Sequence, residues 1–206
     1  MLKIENLCKK FKHHVIFDKV NLSLENGDLV HLYGINGSGK STLFKLIAGI
    51  LEPDSGTITI DKNKRVGAVI ENPGFIENET ILYNLKYLYT LLNSWNDAAQ
   101  EKIEKLCNEF NLNLYSKEKL KNYSLGMRQK VAIIQAIMEE QDIILLDEPI
   151  RGLDQEAIEE FFKIINNLAK KKDKIIIIAS HDLMEKLNYN RKLIIKDCKI
   201  YDETSK

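Results

Sequence analysis

Apolar and polar positions along this chain of 206 residues follow two periods in alternation. Residues 143–146 and 175–179 are short, wholly apolar runs, typical of strands buried on both faces. Between them, apolar residues recur three and four positions apart, which predicts an amphipathic helix. The helix is marked by Ile158, Phe161, Phe162, Ile165 and Leu168. Strands that alternate with helices in this way predict an α/β fold with a largely parallel sheet covered on both faces.

The first 60 residues show the other strand pattern. Residues 2–7 and 20–24 alternate between apolar and polar, and residues 57–60 form a further short run, so we predict an antiparallel β portion near the N terminus. Between the first two strands we expect a basic loop, residues 9–14, in which Phe11 is a lone aromatic residue.

The pattern changes again in the middle of the chain. Helical spacing dominates residues 81–92, the stretch from Ile103 to Phe110, and a segment that starts near Ser124. We therefore predict one domain, residues 1–206, built from two lobes. The core lobe comprises residues 1–72 and 139–206, and the inserted helical lobe comprises residues 73–138.

A phosphate-binding loop is predicted between an apolar strand, residues 28–33, and the helix that follows it. The segment 34–42 fits the pattern G-x-x-x-x-G-K-[ST]. Its glycines let successive backbone N–H groups surround an anion, Lys40 can reach the outer phosphates, and the Ser41 hydroxyl can hold Mg²⁺. The residues expected to bind a nucleoside triphosphate are Gly34, Asn36, Gly37, Ser38, Gly39, Lys40, Ser41 and Thr42.

Polar side chains follow three other apolar strands, and the carboxyl ends of parallel strands share one edge of a sheet. Asp147 is predicted to hold Mg²⁺, and Glu148 to orient and deprotonate an attacking water. Glu71 and His181 end the other two strands, and a histidine there can donate to a γ-phosphate. These residues and the phosphate loop predict a catalytic site.

The histidines suggest two further interpretations, a hydrolase triad and a metal site. Residues 180–182 have the composition of a hydrolase triad, but neighbours on an extended chain point to opposite faces and cannot form that relay. His13, His14 and His31 lack the spacing of metal ligands, so we expect structural or surface roles for them.

Composition excludes several classes of protein. Lysine plus arginine and aspartate plus glutamate both number 30, so no net charge attracts nucleic acid or an anionic membrane. The cysteines at 8, 107 and 198 lack metal-pair spacing and suit reduced thiols in a cytoplasmic protein. The chain starts without the apolar core of a signal peptide, and no apolar run approaches the ~20 residues of a membrane span.

The order of these motifs resembles the ATP-binding-cassette (ABC) ATPases over nearly the whole chain. The distinguishing segment is residues 123–129, Tyr-Ser-Leu-Gly-Met-Arg-Gln, which stands where that family has its Leu-Ser-Gly-Gly-Gln signature. The resemblance implies ATP and Mg²⁺ as cofactors and a head-to-tail dimer, expected to be a homodimer, that encloses two ATP molecules. It also implies roles for single residues. Ser124 and Gly126 would contact the γ-phosphate bound to the other subunit, Phe11 would stack on adenine, and Asp154 would act across the dimer. His181 would be the switch histidine, and Glu71 would contact Mg²⁺ and the attacking water.

Departures from the family pattern point to one branch. Leu125 and Met127 replace a glycine and a glutamine of the signature, and Glu71 replaces a glutamine. Together with residues 70–75, Ile-Glu-Asn-Pro-Gly-Phe, they resemble the ATPases of bacitracin-resistance and lantibiotic-immunity exporters.

That branch implies an ATPase subunit at the inner face of the membrane that powers export of a peptide antibiotic or similar compound. A separate permease would dock near residues 71–83, where Phe75 and Ile76 suit either docking or local packing. The alternatives are a soluble ABC ATPase that acts on nucleic acid or ribosomes, and a weakly hydrolysing ATP sensor. The neutral charge argues against nucleic acid.

Overall fold

The computed structural model describes residues 1–71 and 74–204. The elements follow one another along the chain as β1 Leu2–Phe11, β2 His14–Leu24, β3 Leu29–Tyr33, α1 Lys40–Ile47, β4 Ser55–Ile60, β5 Val66–Val69, α2 Ile81–Thr90, α3 Asp97–Glu109, α4 Leu125–Ile137, β6 Ile143–Asp147, α5 Gln155–Lys170, β7 Ile175–Ala179, β8 Arg191–Lys196 and β9 Lys199–Asp202. A short 3-10 turn, Leu120–Asn122, precedes α4.

The central sheet has the strand order β5-β6-β7-β3-β8-β9. All neighbouring pairs are parallel except β8 and β9, which run antiparallel. The predicted α/β fold with a largely parallel sheet is confirmed. Because these strands are parallel, β5, β6, β7 and β3 all have their carboxyl ends at the same edge of the sheet.

Both faces of this sheet are covered, because successive side chains of a strand point to opposite sides. Ile176 and Ile178 pack into the cluster that contains α2 to α5. Ile175 and Ile177 pack with α1 and the N-terminal strands. Every residue of β7 is buried, which explains why its sequence is an unbroken apolar run.

The predicted antiparallel portion forms a second sheet with the order β2-β1-β4. Its strands are longer than predicted, and Phe11 is the last residue of β1 rather than part of a loop. Phe11 pairs with His14 across a tight turn. The charged residues 9–14 hid this pairing, because exposed strand ends need no apolar alternation.

The helices of the middle segment begin at side-chain caps. Thr80, Asn96 and Ser124 accept hydrogen bonds from the first turns of α2, α3 and α4. The two-lobe division remains a prediction, and its boundary at residues 72 and 73 lies outside the described residues. Within residues 1–71 and 74–204, no helix is long and apolar enough to span a membrane.

The last two strands were not predicted. In β8, Leu193 and Ile195 are buried on one face of a six-residue strand. Asp197 and Cys198 connect it to β9 with positive φ values of 50° and 59°, the turn geometry of a tight hairpin. The sequence of β8 shows no alternation, because Leu193, Ile194 and Ile195 are three consecutive apolar residues.

Candidate functional site

A cavity of about 700 Å³ lies at the carboxyl edge of the central sheet. It collects the ends of β3, β5, β6 and β7 with the start of α1. Its lining residues are Asn36, Gly37, Gly39, Lys40, Ser41, Thr42, Glu71, Leu125, Gln129, Asp147, Glu148, Arg151 and His181. The structure thus brings together most of the predicted loop ligands and the four polar residues predicted at strand ends. Sequence reasoning assigned no role to Gln129 and Arg151.

The loop between β3 and α1 has the geometry of an anion cradle. Gly39 precedes the helix with φ of 112°, and no described side chain caps the N terminus of α1. A Cβ at Gly39 would lie 2.6 Å from Ile16 Cγ2, so only glycine fits there. Lys40 is buried, and its Nζ donates to Gly34 O at 2.8 Å. The ammonium group therefore lies against the loop backbone, where a phosphate would bind.

Ser41 and Asp147 meet across the sheet edge. The Ser41 hydroxyl donates to Asp147 Oδ2 at 2.5 Å, although the two residues are far apart in sequence. Hydroxyl and carboxylate oxygens are the ligands that Mg²⁺ prefers. In the described part of the chain, no three His, Cys, Asp or Glu side chains converge as a metal site. The Ser41 hydroxyl and the Asp147 carboxylate suit a cation that takes its other ligands from phosphates and water.

Glu148 and His181 face each other at the ends of β6 and β7. His181 Nε2 lies 3.5 Å from Glu148 Oε1. That carboxylate oxygen is buried and has no hydrogen-bond partner among the described residues. The Glu148 backbone, with φ of 45°, is held by its N–H bond to Ala179 O at 2.9 Å. A buried oxygen acceptor that lacks a donor suits a residue that binds a water molecule.

Glu71 lines the cavity but is held by a residue that the sequence did not single out. Lys45, on α1, donates to Glu71 Oε1 at 2.6 Å. Spacing alone could not reveal this pair, because it depends on how α1 packs beside the end of β5. Both side chains are partly exposed, so the ion pair itself contributes little stability.

The helix α4 is fixed to the loop between β6 and α5. A Cβ at Gly126 would lie 2.3 Å from Gly152 O, so the two backbones approach as closely as glycine allows. Gln129 Nε2 donates to Pro149 O at 2.9 Å. Lys130 pairs with Asp154 at 3.1 Å. Within one chain, these contacts join the predicted signature segment to the loop of Gly152 and Asp154, where a contact across the dimer is predicted.

Asp154 also begins α5, because it accepts a hydrogen bond from Ala157 N at 2.8 Å. This bond, followed by the Lys130 ammonium, lowers the pKa of Asp154. On the other side of α4, Arg128 pairs with Glu77 and lowers the pKa of that carboxyl group. The start of α4 is therefore held from two directions.

Several predicted ligands are not among the described residues that line the cavity. They are Phe11, Gly34, Ser38, Ser124, Gly126 and Asp154. Gly34 and Ser38 lie on the other side of the loop, at a second cavity of about 390 Å³ with Val15 and Cys198. Phe11 is exposed, with Lys9 Nζ 5.4 Å from the centre of its ring. Ser124 uses its hydroxyl to cap α4.

Comparison with known proteins decides the family. The family model described as ABC transporter matches residues 17–151. This chain belongs to the ABC transporter family. It is 33% identical to the lantibiotic transport ATP-binding protein SrtF of Streptococcus pyogenes, over 90% of this chain and 82% of that protein.

A second relative of this ABC protein is the bacitracin transport ATP-binding protein BcrA of Enterococcus faecalis. The two are 32% identical over 90% of this chain, which spans 62% of the length of BcrA. A solved dimeric ATP-binding cassette, in a post-hydrolysis state with ADP and Pi, has the same fold. Its TM-score is 0.86 at 24% identity, over 99% of this chain and 98% of that one. The resemblance to the ABC ATPases and to the bacitracin and lantibiotic branch is confirmed.

The cavity of this ABC ATPase domain fits the cofactor of its family. The family binds ATP, and the cradle between Gly39 and Lys40 would hold its phosphates. Ser41 and Asp147 would hold Mg²⁺ bound to those phosphates.

Proposed function

We propose that this chain hydrolyses ATP in the cavity at the carboxyl edge of its central sheet and thereby powers a membrane permease. The observation that carries the proposal is that Lys40, the Ser41–Asp147 pair and the Glu148–His181 pair line one cavity. An ATPase needs three kinds of group beside the triphosphate. They are a cation that binds the phosphates, ligands that hold Mg²⁺, and a base that accepts a proton from water.

The residues divide the chemistry between them. Lys40 would neutralise charge on the outer phosphates, and Ser41 with Asp147 would hold Mg²⁺. Glu148 accepts a proton from water as the water oxygen bonds to the γ-phosphorus and the bond to the leaving ADP oxygen breaks. His181 donates a hydrogen bond to the γ-phosphate. Mg²⁺ supplies charge stabilisation when it is bound.

A head-to-tail dimer of two copies would complete the site. Of the predicted signature segment, Leu125 and Gln129 line the described cavity, whereas Ser124 and Gly126 do not. Leu125, beside them, is 55% exposed. The structural neighbour with ADP and Pi is itself dimeric. We propose a homodimer in which each α4 N terminus contacts the γ-phosphate bound to its partner.

The transport role is supported by the relatives. SrtF and BcrA are named as lantibiotic and bacitracin transport ATP-binding proteins. We propose that this chain likewise drives export of a peptide antibiotic or similar compound through a separate permease. It would then be a cytoplasmic subunit, peripheral at the inner face of the membrane.

The permease would dock on the surface that begins at the end of β5. Phe75 is buried in the core, so it packs locally rather than docking. Ile76 is 40% exposed, and on α2 the rings of Tyr83 and Tyr87 stack with centres 6.4 Å apart. Residues 72 and 73 of the predicted docking segment lie outside the described residues. Exposed aromatic side chains suit contact with a protein partner.

Co-purification of a permease tests this proposal. Tagged protein, extracted from its own cells in mild detergent, is expected to bring a multi-span membrane protein in matching amount. The double variant Tyr83→Ser and Tyr87→Ser should lose most of that partner while it retains ATP binding. The control Tyr201→Ser changes an equally exposed tyrosine on β9 and should retain the partner. Co-purification of ribosomes or nucleic acid instead of a membrane protein would contradict the transport role.

A further inference from the structure

A buried polar pair lies directly behind the site. His31 is in the middle of β3, only 4% exposed, and its Nε2 lies 3.0 Å from Ser180 Oγ. Ser180 is 2% exposed and directly precedes His181. The sequence predicted a structural or surface role for His31. The structure places it in the core and connects it to the segment that carries the candidate switch histidine.

The direction of the hydrogen bonds follows from the available groups. The Ser180 hydroxyl donates its single proton to Asp182 O at 2.8 Å. Its oxygen therefore accepts from His31, which must carry its proton on Nε2. The result is a chain of two bonds, from His31 to Ser180 and from Ser180 to Asp182. The bond from Ser180 to Asp182 closes over His181, the residue between the two, and restrains the backbone there.

The surroundings of His31 keep the ring in one orientation. It stacks on Tyr33 at 5.2 Å between ring centres and contacts Tyr189 at the same separation. Burial lowers the pKa of His31. A hydrogen bond with the Ser180 backbone acts against this shift, and Lys192, the paired neighbour of His31 on β8, acts with it. The lowered pKa favours the neutral imidazole, and the bond to Ser180 Oγ places its one N–H on Nε2.

This turn also connects to Glu148. The Ser180 N–H bonds to Leu32 O at 3.2 Å, and the Glu148 N–H bonds to Ala179 O at 2.9 Å. The ends of β3, β6 and β7 are thus joined around one turn. His181, the residue after Ser180, has its Nε2 3.5 Å from Glu148 Oε1.

We propose that His31 is a positioning residue that acts through Ser180 to hold His181 towards Glu148. The inference rests on the proposed ATPase activity. His31 touches no reacting atom, so its effect must be on turnover rather than on nucleotide binding. Simple core packing would require only a ring or chain of suitable volume at position 31. The proposal requires a hydrogen-bond donor at the place of Nε2.

Two substitutions separate these roles. His31→Gln keeps an N–H donor near the place of Nε2, whereas His31→Leu keeps apolar volume and removes the donor. We expect His31→Leu and Ser180→Ala to lower kcat for ATP between roughly 10-fold and 100-fold, with KM nearly unchanged. His31→Gln should recover most of the turnover. His14→Leu changes an exposed histidine and is the matched control.

A double-mutant cycle with His181→Ala completes the test. If His31 acts through His181, adding His31→Leu to His181→Ala should lower kcat no further. Thermal unfolding of each variant identifies losses caused by unfolded protein. The inference is overturned if His31→Gln is as slow as His31→Leu, if His31→Leu turns over normally, or if the two losses multiply. Normal turnover in His181→Ala would instead contradict the role of His181 in the proposed function.

Discussion

Replacing Glu148 with glutamine is expected to lower ATP turnover by about 10²- to 10⁴-fold, the usual contribution of a general base. The amide cannot accept the proton of the attacking water, but it has nearly the shape of the carboxylate. Lys40, Ser41 and Asp147 are unchanged, so the variant should still bind ATP. Release of phosphate under saturating ATP measures the loss, and a fluorescent ATP analogue measures binding.

The matched control for this prediction is Glu185→Gln. Glu185 is exposed and lies outside the described lining of the cavity, so this variant should turn over like the unmodified protein. Normal turnover in Glu148→Gln would remove Glu148 from the role of base. Loss of both turnover and ATP binding would show that the substitution damages the site as a whole.

Replacing Lys40 with alanine is expected to weaken ATP binding at least ~100-fold, because charge-assisted bonds to more than one phosphate oxygen are lost. The side chain is buried against the loop, and its Nζ bonds to the loop backbone at Gly34. The ammonium group therefore already lies beside the cradle. Equilibrium titration with ATP in the presence of Mg²⁺ measures the effect.

Lys62→Ala is the control, since Lys62 is exposed and is not among the described residues that line the cavity. It should bind ATP with unchanged affinity. If Lys40→Ala retained nanomolar-to-micromolar affinity, the phosphate-loop assignment would be contradicted.

The sequence predicts those parts of the fold and site that depend on local pattern. The four buried isoleucines of β7 can only be a strand covered on both sides, and the structure places it so. The phosphate loop is predictable because one strand, one glycine-rich turn and one helix are contiguous in sequence. Parallel order then brings Asp147, Glu148 and His181 to the same edge.

What the sequence does not predict depends on packing between distant segments. The Lys45–Glu71 pair arises because α1 lies beside the end of β5. Gly126 matches a family motif, but only the structure shows that its missing Cβ leaves room for Gly152 O. His31 carries no motif, and its bond to Ser180 exists because β3 and β7 are neighbours. The strand end at Phe11 was missed because charged residues there need no alternation.

The most direct test of the account is the molar mass of Glu148→Gln in solution, measured by light scattering with Mg²⁺ and saturating ATP. The account holds that two copies close around two ATP molecules and that hydrolysis reopens them. The slow variant should therefore have the mass of two chains with ATP and of one chain with ADP. A mass of one chain in both nucleotides, with ATP binding demonstrated in the same sample, would contradict the account.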